Sequence, residues 1–258
     1  MIPKILNPQQ IDQFIEEGYT VVREAFAKDV ARQVRDLLWK HMGLDPSDPK
    51  AWKEPVVHIR EVFTGEPFAR AFTDRLWGAF DDLMGEGRYR RDNPGLGWWP
   101  VAFPGFDLPP WKPLATGWHV DGIQFHHHLN SPDQGLLPIF LFSDIAPGDG
   151  GTAVCPGSHR WTARVLAEAE PEGLPLEELR KRVLKNPVTQ AVEMTGQAGD
   201  VALTHPFILH TRSTNTGKNV RFICNPCQSL REPMNLKRAN VGDHSPVELA
   251  IVKALEKD

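Results

Sequence analysis

Beyond Arg90 the chain breaks into short runs of β-branched and aromatic residues, each closed off by Gly or Pro. The runs cover 117–123, 137–142, 152–155, 200–203 and 220–225. A strand that short buries little by itself, so many of them with turn residues between argue for a sandwich or a barrel. The segment before Arg90 follows another rule. Asn7-Pro8-Gln9-Gln10 reads as a helix start: Asn7 caps, Pro8 suits the first helical position, and Gln10 sits where a capping box wants an amide. Ile11, Phe14 and Ile15 supply the buried stripe, Gly18 ends the helix, and Thr20-Val21-Val22 follows as a short strand. Val30, Val34, Leu37, Leu38 and Met42 repeat at helical spacing up to Gly43. A third helix is expected over 67–84, on Phe68, Phe72, Leu76 and Phe80.

These readings give one α+β, β-rich domain over 1–258. Residues 1–90 form a mainly helical part packed outside the strands. Residues 91–230 hold the strands, interrupted at 161–187 by a partly helical insertion placed to act as a lid, and 231–258 form a C-terminal tail. A chain of 258 residues can bury a substantial core. A net charge of −4 gives no reason to expect nucleic acid or an anionic membrane as partner. No apolar stretch has the length of a membrane span, the opening Met1-Ile2-Pro3-Lys4-Ile5-Leu6 lacks the apolar block of a signal peptide, and only three cysteines are present. The expectation is a cytoplasmic protein. Cys224-Asn225-Pro226-Cys227 invites a redox or zinc reading, but residues three apart on a strand face opposite sides and Cys155 is the one other thiol.

Within the strand-rich part, His119-Val120-Asp121 places two metal-ligand types two residues apart, on one side of an extended segment. His210, from a distant strand, completes two imidazoles and a carboxylate. Such a set covers one face of an octahedral Fe(II) and leaves the other open for a cosubstrate and O2. Taken alone, the triplet would read as a solvated strand end. Arg221 lies in the apolar run Val220-Arg221-Phe222-Ile223 and suits a dicarboxylate, which its planar fork grips through two parallel hydrogen bonds. The alternative for Arg221 is a surface salt bridge; its neighbours favour burial with an anionic partner. Thr152, after Gly150-Gly151, is either a turn residue or a hydroxyl contact for the cosubstrate.

From Gly117 to Arg221 the chain resembles the phytanoyl-CoA dioxygenase family of Fe(II)/2-oxoglutarate oxygenases. The resemblance is carried by Gly117-Trp118-His119-Val120-Asp121-Gly122 and by the segment from Gly150 to Arg160 with its Pro156-Gly157-Ser158-His159 turn. Gly199-Asp200-Val201-Ala202-Leu203 with Leu209-His210 carries it further, as do Ser213, Asn215 and Arg221. The opening run from Leu6 to Phe26 is similar to the family's first helix and strand. The resemblance implies a double-stranded β-helix, a cupin-like jelly roll, with Fe(II) on His119, Asp121 and His210, 2-oxoglutarate chelating the metal, Arg221 on its far carboxylate, and O2 as second cosubstrate. Decarboxylation would leave succinate, CO2 and an oxidant able to abstract hydrogen from an unactivated carbon. Many members carry a small hydroxyl residue two positions after the distal histidine; here that position is Arg212, and Ser213 or Thr211 could substitute.

Hydroxylation is the default outcome, with ring closure, desaturation or epimerisation open to the same oxidant; Asp121 argues against halogenation. Three consecutive imidazoles cannot face one point on a strand, so His126-His127-His128 is not a second metal site. Gln124, His126, His128 and Arg160, with His58 and Arg60, are instead expected to line a polar substrate pocket or to be plain surface. His159 is expected to hydrogen-bond its own turn. The polar cluster points to a small, sugar-bearing natural product more than to an acyl-CoA. The rivals are a non-catalytic cupin-like metal binder and a zinc hydrolase with the same three ligands, neither of which has a use for Arg221. Oligomeric state is not legible.

Overall fold

The computed structural model describes residues 3–91 and 95–256; Met1 and Ile2 of the opening run and the last two residues of the expected tail lie outside them. Helix α1 (Pro8–Glu17) starts as its sequence dictates. The Asn7 side chain accepts from Gln10 N, the Gln10 side chain accepts from Asn7 N, and Gly18 closes the helix at φ 85°. Strand β1 (Tyr19–Val22) and helix α2 (Lys28–Met42), which ends at Gly43, follow as expected.

The third helix is shorter than its apolar pattern. A 3-10 turn over Phe68–Ala71 precedes α3 (Asp74–Met84), because the Thr73 side chain caps Leu76 N and starts the helix afresh. Strand β2 (Val56–Ile59), inside the part expected to be helical, pairs with β3 (Trp99–Ala102) in a two-stranded sheet. Strands β4 (Leu137–Leu141), β7 (Val201–Thr204) and β9 (Ile223–Cys224) join β1 in an antiparallel sheet of order β1-β7-β4-β9. Strands β5 (Ala153–Val154), β6 (Val192–Glu193) and β8 (His210–Thr211) form a second antiparallel sheet, β6-β5-β8.

Side-chain alternation divides each sheet into two faces. Tyr19, Ile139, Leu141, Ala202 and Ile223 of the first sheet join Val154, Met194 and Ile208 around the second in one small apolar cluster. The opposite faces, with Val22, Phe140, Val201 and Phe222 on one sheet and Ala153 and Leu209 on the other, belong to the large core that also holds Val34 and Leu38 of α2 and Leu76 and Phe80 of α3. Helices therefore cover the outer faces, and the inner faces look at each other. Among them is α4 (Ser158–Ala169), followed by α5 (Leu176–Val183); together they make up most of the insertion.

Residues 231–258 are not simply a tail. Ser245-Pro246-Val247-Glu248 is a second capping box, and it opens α6 (Pro246–Leu255), which packs on α1, α3 and α4 with Val247, Ile251 and Ala254 buried. No helix among the described residues is long and apolar enough to cross a membrane.

Candidate metal and cosubstrate site

The expected strand over 117–123 is not a regular strand. It is an extended segment between Gly117 and Gly122, both at positive φ, tied to β8 by a single bridge in which His119 and His210 exchange both backbone hydrogen bonds. The side-chain consequence survives. His119 Nε2 lies 3.3 Å and His210 Nε2 3.5 Å from Asp121 Oδ1. All three ligand atoms fall within 4.8 Å of one another, close enough to hold one metal ion.

Each imidazole is oriented from behind. His119 Nδ1 donates to Gly117 O at 2.6 Å and His210 Nδ1 to Ile208 O at 3.3 Å, which leaves both Nε2 lone pairs free for a cation. Burial alone would push the Asp121 carboxyl up, but His210 and His119 outweigh it and hold it far below the usual range. For His119, burial lowers its basicity, and the Asp121 carboxylate together with the Gly117 carbonyl more than restores it. Side-chain exposure runs from 39% at His119 through 21% at Asp121 to 7% at His210, so the site opens on the His119 side.

Two features behind the triad had not been read from the sequence. Asn225 Nδ2 donates to Asp121 Oδ2 at 2.8 Å, so one carboxylate oxygen is held while the other faces both histidines. Alternation with Ile223, an inner-face residue, is the signal in the sequence that puts Asn225 on the same face. The thiols of Cys224 and Cys227 are free, and Cys224 is buried on the outer face with Sγ against Gly97 O. The second feature is what the Pro-Gly-Ser-His turn does. Buried Ser158 Oγ accepts from Leu209 N at 2.8 Å and Cys155 N donates to Leu209 O at 2.9 Å, so the turn clamps the peptide groups just before His210. His159 reaches not its own turn but α1, where Nε2 donates to Ile15 O at 3.1 Å.

Arg221 is 1% exposed, which excludes a surface salt bridge. It shares its face with Ile223 and Asn225. Its Nη2 donates to Pro100 O at 2.7 Å and its Nε has no partner among the described residues. Burial, the nearby Arg212 charge and only a weak counter-effect from Glu193 bring its pKa down to about 9. A buried guanidinium with an idle donor fits an arriving carboxylate. Thr152 is buried beside β5, its carbonyl accepting from Met194 N at 2.8 Å.

The expected substrate residues divide. Gln124 and His126 are exposed just past Asp121, and His128 Nδ1 lies 3.6 Å from Glu170 of the insertion. Buried His127 bonds Gly122 O and pairs through its backbone with Leu174, so the two segments expected to bound the pocket do meet. Arg160, expected among them, points elsewhere. Its guanidinium faces α1, donating to the Glu16 carbonyl at 2.7 Å and carboxylate at 3.1 Å. A cleft of about 690 Å³, lined by Trp111, Trp118, Arg180 and Gln190 among others, lies behind the triad: Trp118 points opposite to His119, and no member of the triad lines it. Arg180 of α5 donates to Trp118 O at 2.9 Å, fastening the insertion to this reverse side of the ligand segment.

No curated protein matches the chain. Among solved structures, EctD from S. alaskensis with 2-oxoglutarate and 5-hydroxyectoine gives a TM-score of 0.56 at 20% identity, covering 96% of this chain and 85% of that one. HygX from Streptomyces hygroscopicus with iron bound gives 0.50 at 16% identity over 88% and 87%. These likenesses speak for the fold. The family described as phytanoyl-CoA dioxygenase matches residues 14–223, which span both metal-ligand segments and the buried arginine. On that match the chain belongs to the phytanoyl-CoA dioxygenase family, and it is a 2-oxoglutarate-dependent non-haem iron dioxygenase.

Proposed function

We propose that His119, Asp121 and His210 hold Fe(II), that Arg221 binds the far carboxylate of 2-oxoglutarate, and that Thr152 adds a hydroxyl contact. The scaffold is then a double-stranded β-helix, with the two inner sheet faces as its walls. The observation that carries this reading is the convergence of two Nε2 atoms and one carboxylate oxygen in the same molecule as a buried guanidinium whose Nε meets no partner among the described residues. Iron, 2-oxoglutarate and O2 when bound supply an oxidant strong enough for an unactivated C–H bond, with succinate and CO2 as coproducts.

The chain's own residues fix where that chemistry happens. Carbonyls behind both imidazoles set their tautomers, and Asn225 leaves Asp121 one free oxygen. Gln124, His126 and His128 stand a few residues beyond Asp121, where their donors and acceptors suit a small polar substrate. We favour a hydroxyl-rich, sugar-bearing molecule, oxidised by hydroxylation or oxidative ring closure. Purified protein supplied with Fe(II), 2-oxoglutarate and O2 should release succinate even without prime substrate, and Asp121→Ala should abolish this while keeping its circular dichroism. Absence of succinate from the native protein would favour the non-catalytic metal binder.

A further inference from the structure

The strand that carries His210 holds a second cation. Ile208, His210 and Arg212 alternate along one extended stretch, and Ile208 belongs to the cluster between the sheets, so Arg212 is on the inner face with it. The pairing of Val154 with His210 and Ala153 with Thr211, carried one step further, sets Thr152 across from Arg212. Arg221 enters the same space from the opposite sheet, on the face of Ile223.

Among the described residues no carboxylate forms an ion pair with Arg212 or Arg221. Glu193 comes nearest in effect, and its two oxygens already accept from Gly148 N at 2.8 Å and Gly151 N at 2.9 Å. His58, on β2, feels both guanidiniums, which lower its basicity after burial does. Like charges gathered in a partly dry space oppose folding unless an anion joins them. A single carboxylate has about four lone-pair sites, whereas the planar fork of one guanidinium turns two parallel N–H bonds toward it, so a second cation has acceptors left to meet.

We propose that Arg212 is the second guanidinium of the cosubstrate pocket, holding the far carboxylate of 2-oxoglutarate together with Arg221, one from each sheet. The inference rests on the reading of this site as a 2-oxoglutarate pocket. It makes the pocket selective for a dicarboxylic 2-oxo acid over a monocarboxylic one.

The test is anaerobic titration of the Fe(II)-loaded protein with two 2-oxo acids, followed by the visible charge-transfer band of the iron–oxo acid chelate. 2-Oxoglutarate carries the far carboxylate; 2-oxobutyrate binds iron by the same two oxygens and lacks it. Arg212→Ser should weaken 2-oxoglutarate by about 10–100-fold, as for one lost charge-assisted contact, and leave 2-oxobutyrate unchanged. Arg212→Lys should recover part of the loss. Equal 2-oxoglutarate affinity in native and Arg212→Ser protein overturns the proposal, and so does an equal loss for both acids in both variants, since that is the mark of a distorted site. A native protein that gives no band with either acid overturns the cosubstrate reading itself and this inference with it.

Discussion

Ser158→Ala separates a motif's structural work from its chemistry. The hydroxyl is fully buried; it donates to Cys155 O at 2.7 Å and accepts from Leu209 N at 2.8 Å. Alanine fills nearly the same volume, so the loss is polar. Cys155 O keeps the Ser158 N–H as a donor at 3.2 Å, whereas the Leu209 N–H has no other partner among the described residues. An orphaned buried N–H costs about 1–3 kcal/mol, so the expected destabilisation is about 2 kcal/mol. For a chain of this size that lowers Tm by roughly 4–8 °C. His210 follows directly on Leu209, so slack in that peptide reaches a proposed iron ligand, and Fe(II) affinity should fall by about tenfold, the low end for groups that orient metal ligands. Ser213→Ala is the control: Ser213 Oγ only donates to Gly151 O, at 2.6 Å, in a half-buried position. Urea unfolding of the apo-proteins and competitive iron titration measure both quantities. If Ser158→Ala matches Ser213→Ala in both, the turn does not hold the ligand strand and the reasoning fails.

Arg221→Ala should weaken 2-oxoglutarate by on the order of 2–5 kcal/mol while sparing Fe(II) binding, measured by calorimetry under anaerobic conditions; unchanged cosubstrate affinity would remove Arg221 from the pocket. Asn225→Leu frees Asp121 Oδ2, so the native carboxylate geometry at the metal is lost and Fe(II) affinity drops by about 10–100-fold; an unchanged iron titration would mean the 2.8 Å contact is incidental. Glu248 gives a pH signature. Its carboxylate is fully buried, and burial is outweighed by Arg88, the Ser245 and Asn235 N–H groups and Arg238, which bring its pKa down from 4.5 to about 2. A depressed acid stabilises the fold above its unfolded pKa and loses that contribution as pH falls through the folded value. Glu248→Gln should therefore be less stable than the native chain by on the order of 3 kcal/mol at neutral pH, with the gap closing between pH 4.5 and about 2. A gap that does not shrink with acid would refute the assignment.

The candidate ligands were legible through what surrounds them: alone, His119-Val120-Asp121 reads as a solvated strand end, but with His210, an arginine in an apolar run and the Pro156-Gly157-Ser158-His159 segment it resembles a known family's pattern. Helix α1 was legible because Asn7, Pro8, Gln10 and Gly18 are local signals. Ser245-Pro246-Val247-Glu248 carries the same signals and opens α6 inside the residues expected to form a tail. The break before α3 was hidden because Phe68, Phe72, Leu76 and Phe80 keep helical spacing across it, and the cap at Thr73 overrides the pattern. The pairing of β2 with β3 and the turning of Arg160 toward Glu16 depend on contacts across 40 or more residues, which local sequence does not encode. The ligand segment was expected as a strand and is not one, yet its spacing argument held. An extended backbone is enough to put His119 and Asp121 on one side, with or without a full ladder.

The pairing of β1 with β7 sets a timetable for synthesis. Tyr19–Val22 leaves the ribosome first, and its partner Val201–Thr204 follows some 180 residues later. At about 5–20 residues per second the wait is roughly 10–35 s. Throughout it, β1 offers unpaired N–H and C=O groups beside apolar side chains to any other nascent chain nearby. Native pairing then has to compete with neighbours on the same messenger, so the yield of soluble protein should depend on how densely ribosomes are loaded as well as on the stability of the finished fold.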